Sequence, residues 1–183
     1  MLMPTYIAML RGVNLASRNR MKMDVLRSVC ESIGLENCET HIQSGNVIFN
    51  TAKRDPERIA REMEASIEKQ FGFRAPVILR TPAELKNVIE KAPFISRPDF
   101  EPARLLIYFL ASALTDEARL KLKTVDPSPE QLAIGVRELF IYYPNGMARP
   151  KLSLTSLEKK IANIGTGRNW TTVNNLLEIA MGR

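Results

Sequence analysis

Thr40-His-Ile-Gln-Ser-Gly-Asn-Val-Ile-Phe-Asn50 holds two short strand-like runs, Thr40–Gln43 and Val47–Asn50, on either side of Ser44-Gly45. Ser and Gly favour tight reversals, so this stretch reads as a β-hairpin. Upstream, Thr5-Tyr-Ile-Ala-Met-Leu10 is a continuous apolar run that predicts a buried first strand. Met23, Leu26, Val29, Cys30 and Ile33 then recur at helical spacing, and Gly34 supplies the stop. Downstream, Asp55-Pro56 offers an N-cap and a first-turn proline. Ile59, Met63 and Ile67 mark the core stripe of that helix, Gly72 ends it, and Pro76–Arg80 makes a short strand. The order is βαββαβ, the split arrangement of ferredoxin-like folds.

Thr81-Pro-Ala-Glu84 is a capping box that opens a helix carrying Leu85, Val88 and Ile89. Pro93, Pro98 and Pro102 then stop helix growth. Beyond them an apolar strand runs from Arg104 to Leu110, and Thr115 can cap a helix reaching Lys123. Leu132–Val136 and Leu139–Tyr143 read as tightly joined strands. Leu154, Leu157 and Ile161 share a helix face, and a final helix is expected from about Thr172 to Met181. The reading is an α+β protein of two ferredoxin-like (βαββαβ-type) halves packed together, the second ending in extra helices. Residues 1–92 form the first half, 93–103 a Pro-rich connection, and 104–183 the second half. No residue-level repeat accompanies the repeated order of elements.

The formal charge is +6, and residues 1–30 and 145–183 each carry +4 of it. The excess positive charge therefore lies at the two ends of the chain, which would make a basic, anion-attracting patch if folding joined them. No apolar run is long enough to span a bilayer, and Met1-Leu-Met-Pro-Thr5 lacks the charged-then-apolar layout of a signal peptide. Cys30 and Cys38 are the only cysteines, without scaffold spacing, and suit a reducing, cytoplasmic compartment as buried thiols. His41 is the sole histidine and reads as a strand residue. With no Cys-x-x-Cys, that argues against zinc and against a histidine-based nucleophile, so no metal and no cofactor are assigned.

Four polar segments fall where elements should end, which is where loops carry function. The first joins Arg11-Gly12-Val13-Asn14 to Arg18-Asn-Arg-Met-Lys22, between a strand and a helix start suited to anions. Gln43-Ser44-Gly45-Asn46 combines turn chemistry with amides able to read a base or sugar edge. Tyr143-Pro-Asn145-Gly146-Met-Ala-Arg149-Pro150-Lys151-Leu152 adds two cations and a ring on which a base can stack. Gly165-Thr166-Gly167-Arg168-Asn169-Trp170-Thr-Thr172 offers glycines, hydroxyls and an arginine before a helix. That is the composition of a phosphate-binding helix start, or of a turn with Asn169 or Thr171 as N-cap and Trp170 as staple.

Taken in order, Leu10-Arg-Gly-Val-Asn14, Lys22-Met23, Ile33-Gly34, Ile42-Gln-Ser-Gly-Asn-Val-Ile-Phe49, the Tyr-Pro-Asn-Gly turn, Lys151-Leu152 and Thr166-Gly-Arg-Asn-Trp-Thr-Thr-Val173 resemble the bacterial family called domain of unknown function 1697. The likeness spans almost the whole chain. It implies an α+β bacterial protein with ferredoxin-like halves and brings no activity with it. The family's motif residues fall on Arg11, Gly12, Asn14, Gln43, Ser44, Gly45, Asn46, Gly146, Lys151, Arg168, Asn169 and Trp170. Two departures stand out: Ala16-Ser17 replaces a Gly-Gly pair, and Pro150 replaces a serine before Lys-Leu. Proline removes a backbone donor and a hydroxyl from any phosphate grip there.

The functional expectation is a binding protein for a phosphate-bearing ligand, an anionic small molecule such as a nucleotide, or a nucleic acid. Its candidate residues are Arg11, Gly12, Asn14, Lys22, Gln43, Ser44, Asn46, Asn145, Arg149, Lys151, Thr166, Arg168, Asn169 and Trp170. The alternative is an enzyme acting on a nucleotide or small phosphorylated substrate, for which Asp24 and Glu158 are the nearest acids, each at an expected helix start. A methionine-rich interaction scaffold ranks behind both.

Overall fold

The computed structural model describes residues 3–16 and 18–182. Met1, Leu2, Ser17 and Arg183 lie outside the described residues, and with them part of the Met1–Thr5 stretch, Ser17 of the Ala16-Ser17 pair and the Arg183 charge. The chain divides into two compact units, Met1–Asn87 with Leu176–Arg183, and Val88–Asn175.

The first unit runs β1 (Thr5–Leu10), α1 (Met23–Ser32), β2 (Glu36–His41), β3 (Asn46–Asn50), α2 (Pro56–Phe71) and β4 (Val77–Arg80), followed by α3 (Pro82–Glu90), which crosses the division. Its sheet has the order β2-β3-β1-β4, antiparallel throughout, with Ile7 opposite Ile48 on one side and Arg80 on the other. Side chains alternate across a strand, so Tyr6, Ala8 and Leu10 of β1 share one face. They pack with Val47, Phe49, Val77 and Leu79 against Leu26 and Cys30 of α1 and Ile59, Met63 and Ile67 of α2. The opposite face carries Ile7, Met9, Ile48 and Ile78, also buried.

Local signals set the helix limits. The Asp55 carboxylate accepts from the Arg58 N–H (3.1 Å), Pro56 opens α2, and Gly72 closes it in the left-handed region at φ +76°. The capping box of α3 is reciprocal: Thr81 N–H donates to Glu84 Oε2 (2.7 Å), and Glu84 N–H donates to Thr81 Oγ1 (3.2 Å). The hairpin forms, but β2 starts at Glu36 and ends at His41, so Ile42 and Gln43 belong to the turn. The strand expected at Thr40–Gln43 thus begins earlier, over Glu36-Asn-Cys-Glu39, because β2 lies at the sheet edge, where one side of the ladder is open and polar residues suffice.

The second unit repeats the order: β5 (Leu105–Leu110), α4 (Asp116–Lys123), β6 (Gln131–Ile134), β7 (Glu138–Tyr142), α5 (Leu154–Ile161), β8 (Gly165–Asn169) and the start of α6 (Trp170–Met181). Its sheet order, β6-β7-β5-β8, is again antiparallel. The second half, expected to pass from the Leu154–Ile161 helix through a loop to a final helix, thus has a strand between the two. Gly165–Asn169, expected as a loop, is that strand, and α6 begins at Trp170 rather than Thr172. The glycines serve close packing: a Cβ on Gly165 would sit 2.5 Å from Tyr108 Cε1 and 2.6 Å from the Phe109 carbonyl oxygen. Leu110, Leu114, Leu122, Ile141 and Leu157 build the second core.

The proline-rich segment folds onto the second unit. Arg97 makes a two-pronged ion pair with Asp99 (2.7 and 2.9 Å), and its guanidinium lies 4.5 Å from the centre of the Tyr142 ring. The Tyr142 hydroxyl donates to the Asp99 carbonyl (3.1 Å) and accepts from the Glu101 N–H (3.1 Å). No helix among the described residues is long and apolar enough to cross a membrane.

Candidate functional site

The connection from β1 to α1, Arg11 to Lys22, is built around one side chain. Asn14 takes a positive φ of 51°, its amide donates to the carbonyls of Met21 (3.0 Å) and Gln43 (2.7 Å), and its Oδ1 accepts from the Met21 N–H (2.7 Å). Asn19 donates to the Gly12 carbonyl (2.8 Å), folding the loop on itself. The adjoining turn is held by Asn46, fully buried, whose amide donates to the His41 carbonyl (3.0 Å) and Ser44 Oγ (2.9 Å). Gly45 lies against β1, where its carbonyl accepts from the Leu10 N–H (2.8 Å).

Between this loop, the start of α1, the β2–β3 turn and the end of α2 lies an open cleft of about 960 Å³. Asn14, Arg20, Lys22, Asp24, Gln43 and Gln70 give it polar groups, and Met21, Met23, Val25 and Phe71 give it apolar walls. Among the described residues neither Arg20 nor Lys22 is in an ion pair. Lys22 also holds the N-cap position of α1 in extended conformation, and it provides no side-chain acceptor for the helix's first N–H groups. Those donors and the helix dipole add positive potential beside the two cations.

The expected residues thus separate. Asn14, Lys22 and Gln43 line the cleft. Gly12, Ser44 and Asn46 are engaged in shaping the loop and turn, and Arg11 is part-buried, with its N–H donating to the Pro76 carbonyl (2.9 Å). Arg20 and Met21, within the Arg18–Lys22 run, and Met23, in the Lys22-Met23 pair, also line the cleft, as do Val25, Gln70 and Phe71, which the sequence reading did not name. Phe71 had a readable signal: it continues the Ile59, Met63, Ile67 spacing by one more turn and stays partly exposed.

The remaining candidates belong to the second unit. Arg168 is buried, and its Nη1 donates to Thr166 Oγ1 (2.8 Å) and the Gly167 carbonyl (2.8 Å). Burial lowers its pKa to about 10, still far above neutrality, so it is an interior cation. Gly165 N–H donates to Glu158 Oε1 (2.9 Å), and Asn169 Oδ1 accepts from the Thr172 N–H (2.8 Å) as the cap of α6. Trp170 packs edge-on to Phe100 at 6.1 Å. The Gly165 N–H and the Arg168 guanidinium, expected in a phosphate loop, are therefore engaged within the protein. Glu158 lies inside α5 rather than at its start and also accepts from the Tyr108 hydroxyl (2.5 Å). Asn145 and Arg149 are exposed around the Tyr143–Gly146 turn. Lys151 is exposed as well, its N–H donating to the buried Glu130 carboxylate (3.2 Å), with Leu152 N–H on the other oxygen (3.1 Å). No group of three or more His, Cys, Asp or Glu residues suited to a metal ion occurs among the described residues.

Two four-stranded antiparallel sheets, each with its helices, and an open cationic cleft in the first unit define a mixed α+β protein of two units. The chain belongs to the family described as "Protein of unknown function (DUF1697)", whose model matches residues 3–140 and so takes in every residue lining the cleft. The fold is also that of the conserved bacterial protein SP0830 from Streptococcus pneumoniae, at a TM-score of 0.72 and 22% identity, over 97% of this chain and 99% of that one. No curated protein sequence matches the chain.

Proposed function

We propose that the protein binds a small phosphate-bearing ligand in the cleft beside α1. The observation that carries this reading is the pairing of two cations free of ion pairs, Arg20 and Lys22, with a helix start that no side chain caps. Arginine offers a planar donor fork, lysine a compact charge, and the uncapped helix start backbone donors, a combination suited to a phosphate dianion. A volume of about 960 Å³ suits a small molecule. The common order βαββαβ and the placing of β4 and β8 beside β1 and β5 support reading both units as ferredoxin-like. Cys30 and Cys38, buried and not joined in a disulfide, support a reducing, cytoplasmic setting.

The enzyme reading is favoured by one observation, the carboxylate of Asp24 on the cleft wall. Glu158, the other acid considered, is occupied by Tyr108 and Gly165.

Calorimetric titration of inorganic phosphate and ribose 5-phosphate tests the binding. Charge-assisted hydrogen bonds contribute about 1.5–3 kcal/mol each, so Arg20→Ala and Lys22→Ala should each weaken binding about tenfold or more. Absence of binding to the native chain at millimolar ligand, or unchanged affinity in the double variant, would overturn the reading.

A further inference from the structure

We propose that the ligand is a mononucleotide whose base lies against Met21, Met23 and Phe71 and is read by the side-chain amides of Gln43 and Gln70; this rests on the phosphate reading above. A bare phosphate needs cations and donors but no apolar wall, and the cleft has one. Thioethers are polarizable and pack well on aromatic rings, and a phenyl ring offers a face or edge to a base. Phe71 and Met23 pack at the margin of the first core while still lining the cleft.

The two amides come from separate elements, Gln43 from the β2–β3 turn and Gln70 from the last turn of α2. Among the described residues neither side chain makes a hydrogen bond within the protein, whereas the main chain of Gln43 is pinned by Asn14 at 2.7 Å. Each amide therefore sits on a fixed support and presents an acceptor and two donors, the complement of a base edge. The second unit's cavities of about 460 and 360 Å³ lack an aromatic wall, an arginine and a glutamine.

Titration calorimetry on the full chain should use inorganic phosphate, ribose 5-phosphate, the four ribonucleoside monophosphates and a short single-stranded RNA. At least one nucleotide should bind tenfold tighter than ribose 5-phosphate. Gln43→Ala and Gln70→Ala should lower nucleotide affinity more than ribose 5-phosphate affinity and so lose the tenfold base preference, with unchanged urea midpoints because both side chains are exposed. Equal binding of ribose 5-phosphate and every nucleotide overturns the base assignment and leaves the phosphate reading standing. No binding by any phosphate compound overturns both. RNA binding tighter than all nucleotides, with a steep loss in salt, overturns the mononucleotide in favour of a polymer.

Discussion

The two units repeat one order of elements and one order of strands, but they connect their first strand to their first helix differently. In the first unit the link runs from Arg11 to Lys22, folds around Asn14, and delivers α1 with an uncapped start. In the second the link is only Ala111 to Thr115, and the Thr115 hydroxyl caps α4 by accepting from the Ala118 N–H (3.1 Å). A capped helix start has its donors satisfied internally, whereas an open one beside a long loop leaves them for something else. The framework is thus shared, and the connection is where the two units part.

The hairpins differ in the same way, and this offers the largest test. Gly45 has φ +75°, and a Cβ there would lie 2.6 Å from Val13 Cγ2 and 3.0 Å from Leu10 Cβ. Gly45→Ala should cost about 2–4 kcal/mol from left-handed strain and overpacking together, read as a fall in the urea midpoint. At the corresponding hairpin, a Cβ on Gly135 would meet the buried Glu138 side chain, which can swing aside only by giving up the hydrogen bonds its carboxylate accepts from the Val136 and Arg137 N–H groups (3.1 and 3.2 Å). Gly135→Ala should therefore cost about 1–2 kcal/mol, the loss of those two hydrogen bonds partly recovered by water. Equal losses would mean the two turns are under the same constraint.

Asn14→Ala should come next. It removes three hydrogen bonds that hold the loop to Met21 and Gln43. At about 1 kcal/mol each, partly recovered by water, the expected loss is about 2 kcal/mol, and phosphate binding should weaken with it.

Exchanging the cap residues probes the contrast directly. Lys22 already has the extended backbone of an N-cap, so Lys22→Asp should stabilise the chain by about 1 kcal/mol while removing phosphate binding. Thr115→Lys should destabilise by about 1 kcal/mol and leave binding untouched. A Lys22→Asp protein that still binds phosphate would break the link between the open helix start and the ligand.

The smallest effect expected is on acid stability. Hydrogen bonding to Arg97 holds the Asp99 carboxyl below its ordinary 3.8, so its stabilisation is complete above that value and fades as pH falls below it. Asp99→Asn should flatten the decline in urea midpoint as pH falls below 3.8, and because the Asp99 side chain is 70% exposed the change should be slight.

Some features were legible because they are local. The stripe of α2, its Asp55 cap and the Thr81-Glu84 box depend on residues three or four apart, and each formed as read. The segment Gly165–Asn169 was misread because its glycines and arginine have two uses, and nothing nearby distinguishes them. The free edge of β5 decides: pairing against Leu106–Leu110 makes a strand, brings Gly165 beneath Tyr108 and draws Arg168 inside. Arg168 stands opposite Ile107 as Arg80 stands opposite Ile7, both buried and both donating to the preceding residue's carbonyl at 2.8 Å. That correspondence between the units is invisible in a sequence without residue-level repeats.

The amino-acid order by itself determined the alternation of strands and helices as far as α5, the caps of α2, α3 and α4, and the concentration of positive charge near Arg11–Lys22, since periodicity and capping act within a turn or two. Only tertiary structure decided which polar residues face outward to a cleft. Gln43, Lys22 and Phe71 are far apart along the chain, and their meeting depends on α1 and α2 packing on the same face of one sheet. Arg168, with similar chemistry, was drawn into the interior because a neighbouring strand had an edge to satisfy.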